Sequence, residues 1–255
     1  MNDPTTRSVL QQVLDRGELR LAVEFKDPVE TGFPPEMFLD RETGTPTGVA
    51  PELCRLMARD LGVDLACIDL PWPEHMEALL AGTVDLIVGT NTPRRALEVD
   101  FVPCRLMENR VTALVPSGAG LTLTDIQRRH PTLVCWHGSS IVDVARERFP
   151  EAEVIESNDP PAAIRSGKAS VFVTDAVTYR LLEILEGFDL VCDDDGSPAI
   201  LSREYVHFAM APRDLRFMMW MINWYDFHSA QGTISAWCQD YWEAAMADAP
   251  MAGKA

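Results

Sequence analysis

The sequence has few basic residues and no long hydrophobic run, and each deficit excludes a class of function. It contains 22 lysines and arginines against 39 aspartates and glutamates, which gives a formal net charge of -17 at pH 7. A surface of this sign repels the phosphates of nucleic acids and anionic membranes, so we expect neither as a partner. No stretch approaches the roughly 20 apolar residues that span a bilayer, and we expect no direct membrane insertion.

The sequence also lacks the common motifs that hold phosphates, nucleophiles or metals. There is no Gly-rich phosphate loop and no G-x-S-x-G nucleophile elbow. No cysteine has metal-ligand spacing with a histidine. We therefore predict no metal site and no cofactor, and we assign no catalytic residue.

The six cysteines form no C-x-x-C pair, and we interpret them as buried free thiols. So many free thiols would be unusual in an oxidising compartment. The first seven residues also lack the apolar core of a secretory signal segment. These features predict a cytoplasmic protein if the N-terminus is native. The alternative is a protein whose leader has been removed.

The most informative stretch is a short apolar run at 84–88 that continues into a polar turn and two adjacent arginines. The run is rich in β-branched residues and predicts a buried strand. A rigid strand end followed by Arg95 offers a planar, bidentate contact to a carboxylate. The alternative is a surface loop in which Arg94 and Arg95 are simply solvated.

This stretch resembles a known family signature. Thr92 and Arg95, followed by Asp100 and Phe101, resemble the T-x-x-R…DF pattern of the bacterial extracellular solute-binding proteins of family 3. Further similar stretches lie at 17–23, 138–140 and 173–176. The resemblance extends over nearly the whole chain, from about residue 14 to residue 242.

The resemblance implies an α/β protein with the type II periplasmic-binding-protein fold, in which two Rossmann-like lobes are joined by two crossing strands. Lobe 1 would comprise residues 1–110 and 207–255, and lobe 2 residues 111–206. The residues themselves agree, because predicted strands alternate with predicted helices as in a parallel sheet. The proline- and glycine-containing segment 24–38 predicts an irregular loop. Two long helices are predicted at 214–229 and 234–246.

The resemblance also implies how a carboxylate would be bound. Arg95 would clamp the α-carboxylate of an amino acid together with Thr90 and Thr92. Ser139 and Ser140 would add contacts from the second lobe, where backbone N–H groups at a helix start suit an anion. The alternative for these two serines is plain N-capping of the helix that follows.

Three further residues complete the implied ligand set. Asp175 would accept the α-ammonium group, with the alternative that it caps the predicted helix 176–186. Trp72 would pack on the ligand, or else be a core or edge tryptophan. Glu24 would face the ligand side chain and favour a cationic one, or else be a solvated loop residue.

The function that the resemblance implies is solute binding. The protein would be a periplasmic monomer that closes on a small amino-acid-like carboxylate and serves an ABC permease or a sensor domain. The alternative is a cytoplasmic carbon–oxygen lyase. The stretches at 72–73 and 174–176, each with the helix predicted after it, and the tryptophan-containing C-terminal helices resemble the cyclohexadienyl dehydratase branch. Enzymes of that branch eliminate water and carbon dioxide from prephenate or arogenate. That branch has a glutamate where this chain has Thr178, which cannot act as the acid. A different acid would then be needed, and the candidates are Glu24, Glu36, His137 and His207.

Overall fold

The computed structural model describes residues 7–25, 32–33, 36–40, 42–175 and 187–235. The chain divides into two compact units, of which unit 1 comprises Met1–Met107 and Tyr205–Ala255 and unit 2 comprises Glu108–Glu204. The backbone passes from one unit to the other within two long strands, β7 (Asp100–Pro116) and β12 (Ser202–Met210). Several residues discussed above lie outside the described residues, namely the predicted helix 176–186 with Thr178, and most of the predicted helix 234–246.

Unit 1 is built on parallel strands covered by helices. Its strands are β1 (Glu18–Val23), β5 (Asp64–Asp69) and β6 (Ile87–Thr90), and its helices are α1 (Val9–Arg16), α2 (Val49–Leu61), α3 (His75–Leu80) and α7 (Leu215–Ala230). Strand β1 pairs in parallel with β5, and a parallel bridge from Leu21 to Leu86 places the start of the β6 segment beside β1. Strand β12 runs antiparallel to β6. The carboxyl ends of β1, β5 and β6 therefore lie at the same edge.

The apolar periodicity of the sequence explains these elements. Helix α1 buries Leu10 and Val13, and it ends at Gly17, whose φ of 73° is a left-handed conformation that glycine adopts without strain. Helix α2 buries Leu53 and Met57 completely against the same core. Burial of this apolar surface stabilises unit 1.

Strand β6 begins later than the sequence predicts. The prediction was a strand over 84–88, whereas the structure has Ile87–Thr90. The cause is Asp85, a buried carboxylate within the apolar run. Its Oδ2 accepts hydrogen bonds from the Arg20 backbone N–H at 2.8 Å and from Arg16 Nη2 at 2.5 Å. A side chain thus satisfies a backbone donor that a strand ladder would otherwise satisfy.

The prediction of an irregular loop over 24–38 was wrong at 32–33 and 37–38, while residues 26–31 and 34–35 lie outside the described residues. Three short strands, β2 (Gly32–Phe33), β3 (Met37–Leu39) and β4 (Pro46–Thr47), form an antiparallel sheet with β3 in the centre. Met37 is buried and anchors β3 in the core of unit 1. Pro46 is tolerated because β4 is an edge strand, where a missing N–H costs no ladder bond.

Unit 2 also has parallel strands with adjacent carboxyl ends. Its further strands are β8 (Leu133–Trp136), β9 (Val154–Ser157), β10 (Val171–Asp175) and β11 (Phe188–Leu190), and its helices are α4 (Leu123–Arg129), α5 (Ile141–Arg148) and α6 (Pro160–Arg165). Strands β10, β8 and β9 are parallel in that order, while β7 pairs antiparallel with β10 and with β11. A capping box between Thr122 and Asp125 starts α4.

Helices α2 and α7 are joined by hydrogen bonds to one carboxylate. Asp60 Oδ2 accepts a bond from Trp224 Nε1 at 3.0 Å and lies 2.6 Å from Nε2 of His228. Trp224 and His228 are both buried, and their rings are 4.9 Å apart. Charge-assisted hydrogen bonds of this kind are the stronger ones in proteins.

Asp60→Asn should lower the free energy of unfolding by about 1–2 kcal/mol near neutral pH, since two bonds to a carboxylate are weakened. Burial by itself raises the pKa of Asp60, but hydrogen bonds from His228 and Trp224 outweigh it, and the pKa lies below its usual range. A lowered pKa stabilises the fold above the unfolded-state value of about 3.9, and this contribution is lost as pH falls through the folded-state pKa.

Urea unfolding of the wild type and Asp60→Asn as a function of pH tests this account. The stability difference should be full near pH 7 and should shrink below about pH 4. Asp64→Asn, at an exposed position on β5, is the matched control and should cost little at any pH. A difference for Asp60→Asn that is the same at every pH would contradict the role of the carboxylate.

The described cysteines are free thiols, namely Cys54, Cys67, Cys104, Cys135 and Cys192. Burial raises the pKa of Cys67 to about 11 and the pKa values of Cys104 and Cys135 to about 12. Thiols with such values stay protonated near neutral pH and are poor nucleophiles. The interpretation as buried free thiols is confirmed for Cys54, Cys104 and Cys135. Cys67 and Cys192 are free thiols that are only half-buried, and Cys238 lies outside the described residues.

Candidate functional site

Candidate residues of unit 1 follow the carboxyl ends of its parallel strands. Glu24 comes directly after β1, Trp72 lies three residues after β5, and Thr90 is the last residue of β6. Loops at this edge of a parallel sheet are where α/β proteins bind ligands. The fold therefore brings the three positions to one edge of unit 1.

Arg95 is held at the end of β6 by its own turn. It begins a short 3-10 helix, Arg95–Leu97, and its backbone N–H donates to Thr92 Oγ1 at 3.2 Å. Its Nη1 lies 3.5 Å from the Thr90 carbonyl oxygen. The hydroxyl of Thr92 thus shapes the turn, and the guanidinium is placed over the strand end. A planar guanidinium in such a position can donate two parallel hydrogen bonds to a carboxylate.

Trp72 and Arg95 both lie close to Gly89 of β6. A Cβ added at Gly89 would lie 3.8 Å from Cη2 of Trp72 and 4.0 Å from Nη1 of Arg95. A Cβ there would be in ordinary van der Waals contact with both groups, so both side chains lie against the strand at this position. Trp72 is half-buried, and its ring centroid is 5.1 Å from that of the buried His75. A flat apolar surface and a cation are thus adjacent at the end of β6.

Glu24 is a buried acidic residue at a strand end adjacent to the one that Asp69 occupies. It is 9% exposed, so the alternative of a solvated loop glutamate was wrong. The next residue, Phe25, donates its backbone N–H to Asp69 Oδ1 at 3.1 Å. Asp69 ends β5 and pairs in register with Val23 of β1. The two acidic residues therefore lie at adjacent strand ends, an arrangement that favours a cationic group nearby.

In unit 2, the turn after β8 contains the predicted serines. Ser139 Oγ accepts a hydrogen bond from the Ile141 N–H at 3.2 Å, while Ser140 holds the N-cap position of α5 without a side-chain capping bond. Gly138 donates its N–H to Glu156 Oε2 at 3.1 Å, and His137 Nδ1 lies 3.3 Å from the same oxygen. The alternative for the two serines was capping of the helix that follows. Ser139 makes a local hydrogen bond at the start of α5, whereas the Ser140 side chain makes no capping bond.

Asp175 is the last residue of β10 and is half-buried. Because β10 is parallel to β8, Asp175 and the turn at Ser139 follow neighbouring strands and lie at the same edge of unit 2. Its alternative role as the cap of helix 176–186 concerns residues outside the described ones. The preceding residue, Thr174, is completely buried, and its Oγ1 has no hydrogen-bond partner in the described part of the chain.

Thr174→Val should raise the free energy of unfolding by about 1 kcal/mol, because a buried hydroxyl without a partner carries an uncompensated desolvation cost. Urea unfolding measures the difference. Thr174→Ser, which keeps the hydroxyl and removes a methyl group, is the matched control and should lower stability. A less stable valine variant would show that the hydroxyl is hydrogen-bonded in solution.

The remaining acid candidates lie in different settings. His207 is buried, and its Nδ1 is 2.8 Å from the Val102 carbonyl oxygen. His137 has a side chain that is 60% exposed. Glu36 is half-buried next to β3. Within the described ranges, no group of three or more histidine, cysteine, aspartate or glutamate side chains could hold a metal ion.

Comparison with known proteins identifies the family. The model of the bacterial extracellular solute-binding proteins, family 3, matches residues 28–248. The chain belongs to this family. A comparison of this chain with curated protein sequences found no match. In the part that the structure describes, no helix combines the length and apolar character needed to cross a membrane.

Solved structures similar to this family 3 protein share its fold. The ancestral amino acid-binding protein that is a precursor of cyclohexadienyl dehydratase is 22% identical, with a TM-score of 0.72 over 92% of this chain and 99% of that chain. The arginine-bound form of truncated ArgBP from T. maritima is 21% identical, with a TM-score of 0.66 over 84% and 97%. A protein from Wolinella succinogenes, assigned as the binding component of an ABC transporter and complexed with lysine, is 23% identical, with a TM-score of 0.71 over 89% and 96%.

The resemblance to family 3 and the type II periplasmic-binding-protein fold are therefore confirmed. Three residues near the candidate positions of this family 3 protein were not singled out from the sequence: Asp69, His75 and Gly89. Asp69 lies one residue before the end of a strand predicted over 63–70, and Gly89 directly follows the one predicted over 84–88, which is a weak signal at both positions. His75 gives no such signal, because its role depends on ring contacts that the sequence does not show.

Proposed function

We propose that this family 3 protein binds one free amino acid with a cationic side chain. The observation that carries the proposal is the convergence of Arg95 and Trp72 over Gly89, with the buried Glu24 at the same edge of unit 1. A cation, a flat apolar surface and a carboxylate suit the α-carboxylate, the aliphatic stem and the charged end of such a ligand.

The carboxylate is bound by Arg95, which forms paired hydrogen bonds to it. Thr90 and Thr92 assist, since Thr90 borders the guanidinium and Thr92 fixes its turn. Unit 2 contributes the turn at Ser139 and Ser140, where the start of α5 provides N–H groups for an anion.

Asp175 of unit 2 accepts the α-ammonium group. A half-buried carboxylate at a strand end is partly desolvated, so its attraction for an ammonium group is stronger than in water. Each buried ligand charge needs a matched protein charge, because an unpaired one costs several kcal/mol. The pair of Arg95 and Asp175 supplies both matches for a zwitterion.

Glu24 selects the ligand side chain. Its burial makes an apolar side chain at that point unfavourable and a cationic one favourable. The relatives solved with arginine and with lysine support this direction. We further propose that the protein works outside the cytoplasm, as the extracellular character of the family suggests. There it delivers its ligand to an ABC permease or a sensor domain.

A thermal-shift screen of the purified protein tests the proposal. The panel contains amino acids, their keto acids, prephenate and arogenate. A ligand that binds the native state alone adds about 2.7 kcal/mol of stability at 100 times its Kd. We expect a lasting shift with L-arginine or L-lysine and a smaller one with L-leucine. A shift with prephenate or arogenate that fades as the compound is consumed would instead indicate a lyase.

A further inference from the structure

His75 is a buried histidine in ring contact with Trp72. It begins α3 and is 2% exposed, and the two ring planes are tilted by 49° at a centroid distance of 5.1 Å. Its Nε2 lies 3.0 Å from the Leu70 carbonyl oxygen. A carbonyl oxygen can only accept, so Nε2 carries the proton and donates it. The imidazole is thus fixed at one nitrogen while its ring contacts the indole.

The anchor of this imidazole is itself part of the sheet edge. Leu70 donates its N–H to the Val23 carbonyl oxygen at 2.9 Å, and Val23 is the last residue of β1. Glu24 is the residue that follows Val23. Cη2 of Trp72 lies 3.8 Å from the point that a Cβ added to Gly89 would occupy. Two hydrogen bonds therefore connect the end of β1 to the His75 imidazole, and a ring contact connects the imidazole to Trp72 beside β6.

We propose that His75 is a positioning residue that holds the Trp72 indole in the orientation from which it packs on the ligand. The inference rests on the proposed function, because it concerns the residue that contacts the ligand there. A tilted aromatic contact restrains the angle of an indole in a way that an aliphatic neighbour does not. The hydrogen bond to Leu70 keeps the imidazole from rotating together with the indole.

The charge state of His75 follows from its surroundings. Burial lowers the pKa of His75, and the carbonyl groups of Leu70 and Val23 and the charge of Asp69 oppose this effect without cancelling it. The imidazole is therefore neutral near pH 7 and becomes charged below the ordinary histidine value of about 6.5. The acidic residue whose charge acts on the imidazole is Asp69 at the end of β5, and Glu74 is the preceding residue in the chain.

A ligand-free spectrum tests the contact. The protein is labelled with 5-fluorotryptophan, and the Trp72 signal among the six tryptophans is assigned with Trp72→Phe. We expect the fluorine resonance of Trp72 to shift on acidification with an inflection below about pH 6.5. His75→Gln keeps an N–H donor but has no ring and no titration, so the shift should vanish. Glu74→Gln is the matched control and should retain it. A resonance that does not titrate, or that titrates equally in His75→Gln, overturns the proposal.

A double-mutant cycle tests the consequence for binding, with L-arginine as the probe in calorimetry. His75→Gln should weaken binding about fivefold when Trp72 is present and less than twofold when Trp72 is already alanine. Equal losses in both backgrounds would show a general structural effect and overturn the proposal. L-lysine replaces the probe if the wild type binds it and not L-arginine. If the wild type binds neither amino acid, the proposed function fails, and if Trp72→Ala leaves the affinity unchanged, the proposed contact of Trp72 with the ligand fails. The fluorine titration then still decides whether His75 positions Trp72.

Discussion

Arg95→Ala should lower the affinity for the amino acid about a hundredfold or more, measured by calorimetry. The expected loss corresponds to about 3 kcal/mol, within the range for removing one partner of a desolvated charge pair. The reason is geometric, because the guanidinium is held over the end of β6 by the Thr92 turn and borders the Thr90 carbonyl oxygen. Arg95→Lys should recover part of the loss, since an ammonium group keeps the charge but not the bidentate geometry.

The neighbouring arginine provides the matched control for this substitution. Arg94 is exposed and precedes the 3-10 helix that Arg95 begins. Arg94→Ala removes the same charge one residue away and should change the affinity less than twofold. Similar losses for both variants would show that general electrostatic attraction, and not a specific clamp, accounts for the binding.

Asp175→Asn should produce the second large effect, with a loss of about a hundredfold for L-arginine. Asparagine keeps the shape but removes the charge that balances the ligand ammonium group, which is costly when that group is desolvated. The same substitution should change the affinity for 5-guanidinopentanoic acid, which lacks the α-amino group, less than threefold. Calorimetry with both compounds measures the difference.

Thr174→Val is the control for Asp175→Asn, because Thr174 is the adjacent residue of β10 and is completely buried. It should leave the affinities for both compounds unchanged. A loss with Asp175→Asn that is equally large for the compound without an amino group would contradict the assignment of Asp175 to the ammonium group.

The local sequence pattern was sufficient to predict the helices and strands that bury a regular apolar stripe. The apolar stripe of Val9, Leu10, Val13 and Leu14 predicts a helix over 8–16 that ends at Gly17. Helix α1 (Val9–Arg16) agrees within one residue, because a helix-period pattern and a left-handed glycine are both local signals. The late start of β6 was not predictable in this way. It depends on the hydrogen bonds that Asp85 accepts from the Arg20 backbone N–H and from Arg16, which are 65 and 69 positions away in the chain.

The small sheet of β2, β3 and β4 shows the same limit. Strands of two or three residues carry no measurable periodicity, and their pairing depends on the burial of Met37 in a core formed mainly by distant residues. For the candidate site, the residues alone suggested little more than a carboxylate contact at Arg95. The other roles came from the resemblance to family 3. The contacts of Gly89 and His75 arise only in the folded chain.

The central claim is that the protein binds a cationic amino acid and releases it unchanged. The most direct test is a calorimetric titration with L-arginine after the protein has been unfolded in denaturant, dialysed free of ligand and refolded, followed by recovery of the ligand and its proton NMR spectrum. We predict saturable binding at one site per chain and recovery of intact L-arginine. A refolded protein that binds neither L-arginine nor L-lysine, or a recovered compound that has been altered, would contradict the account.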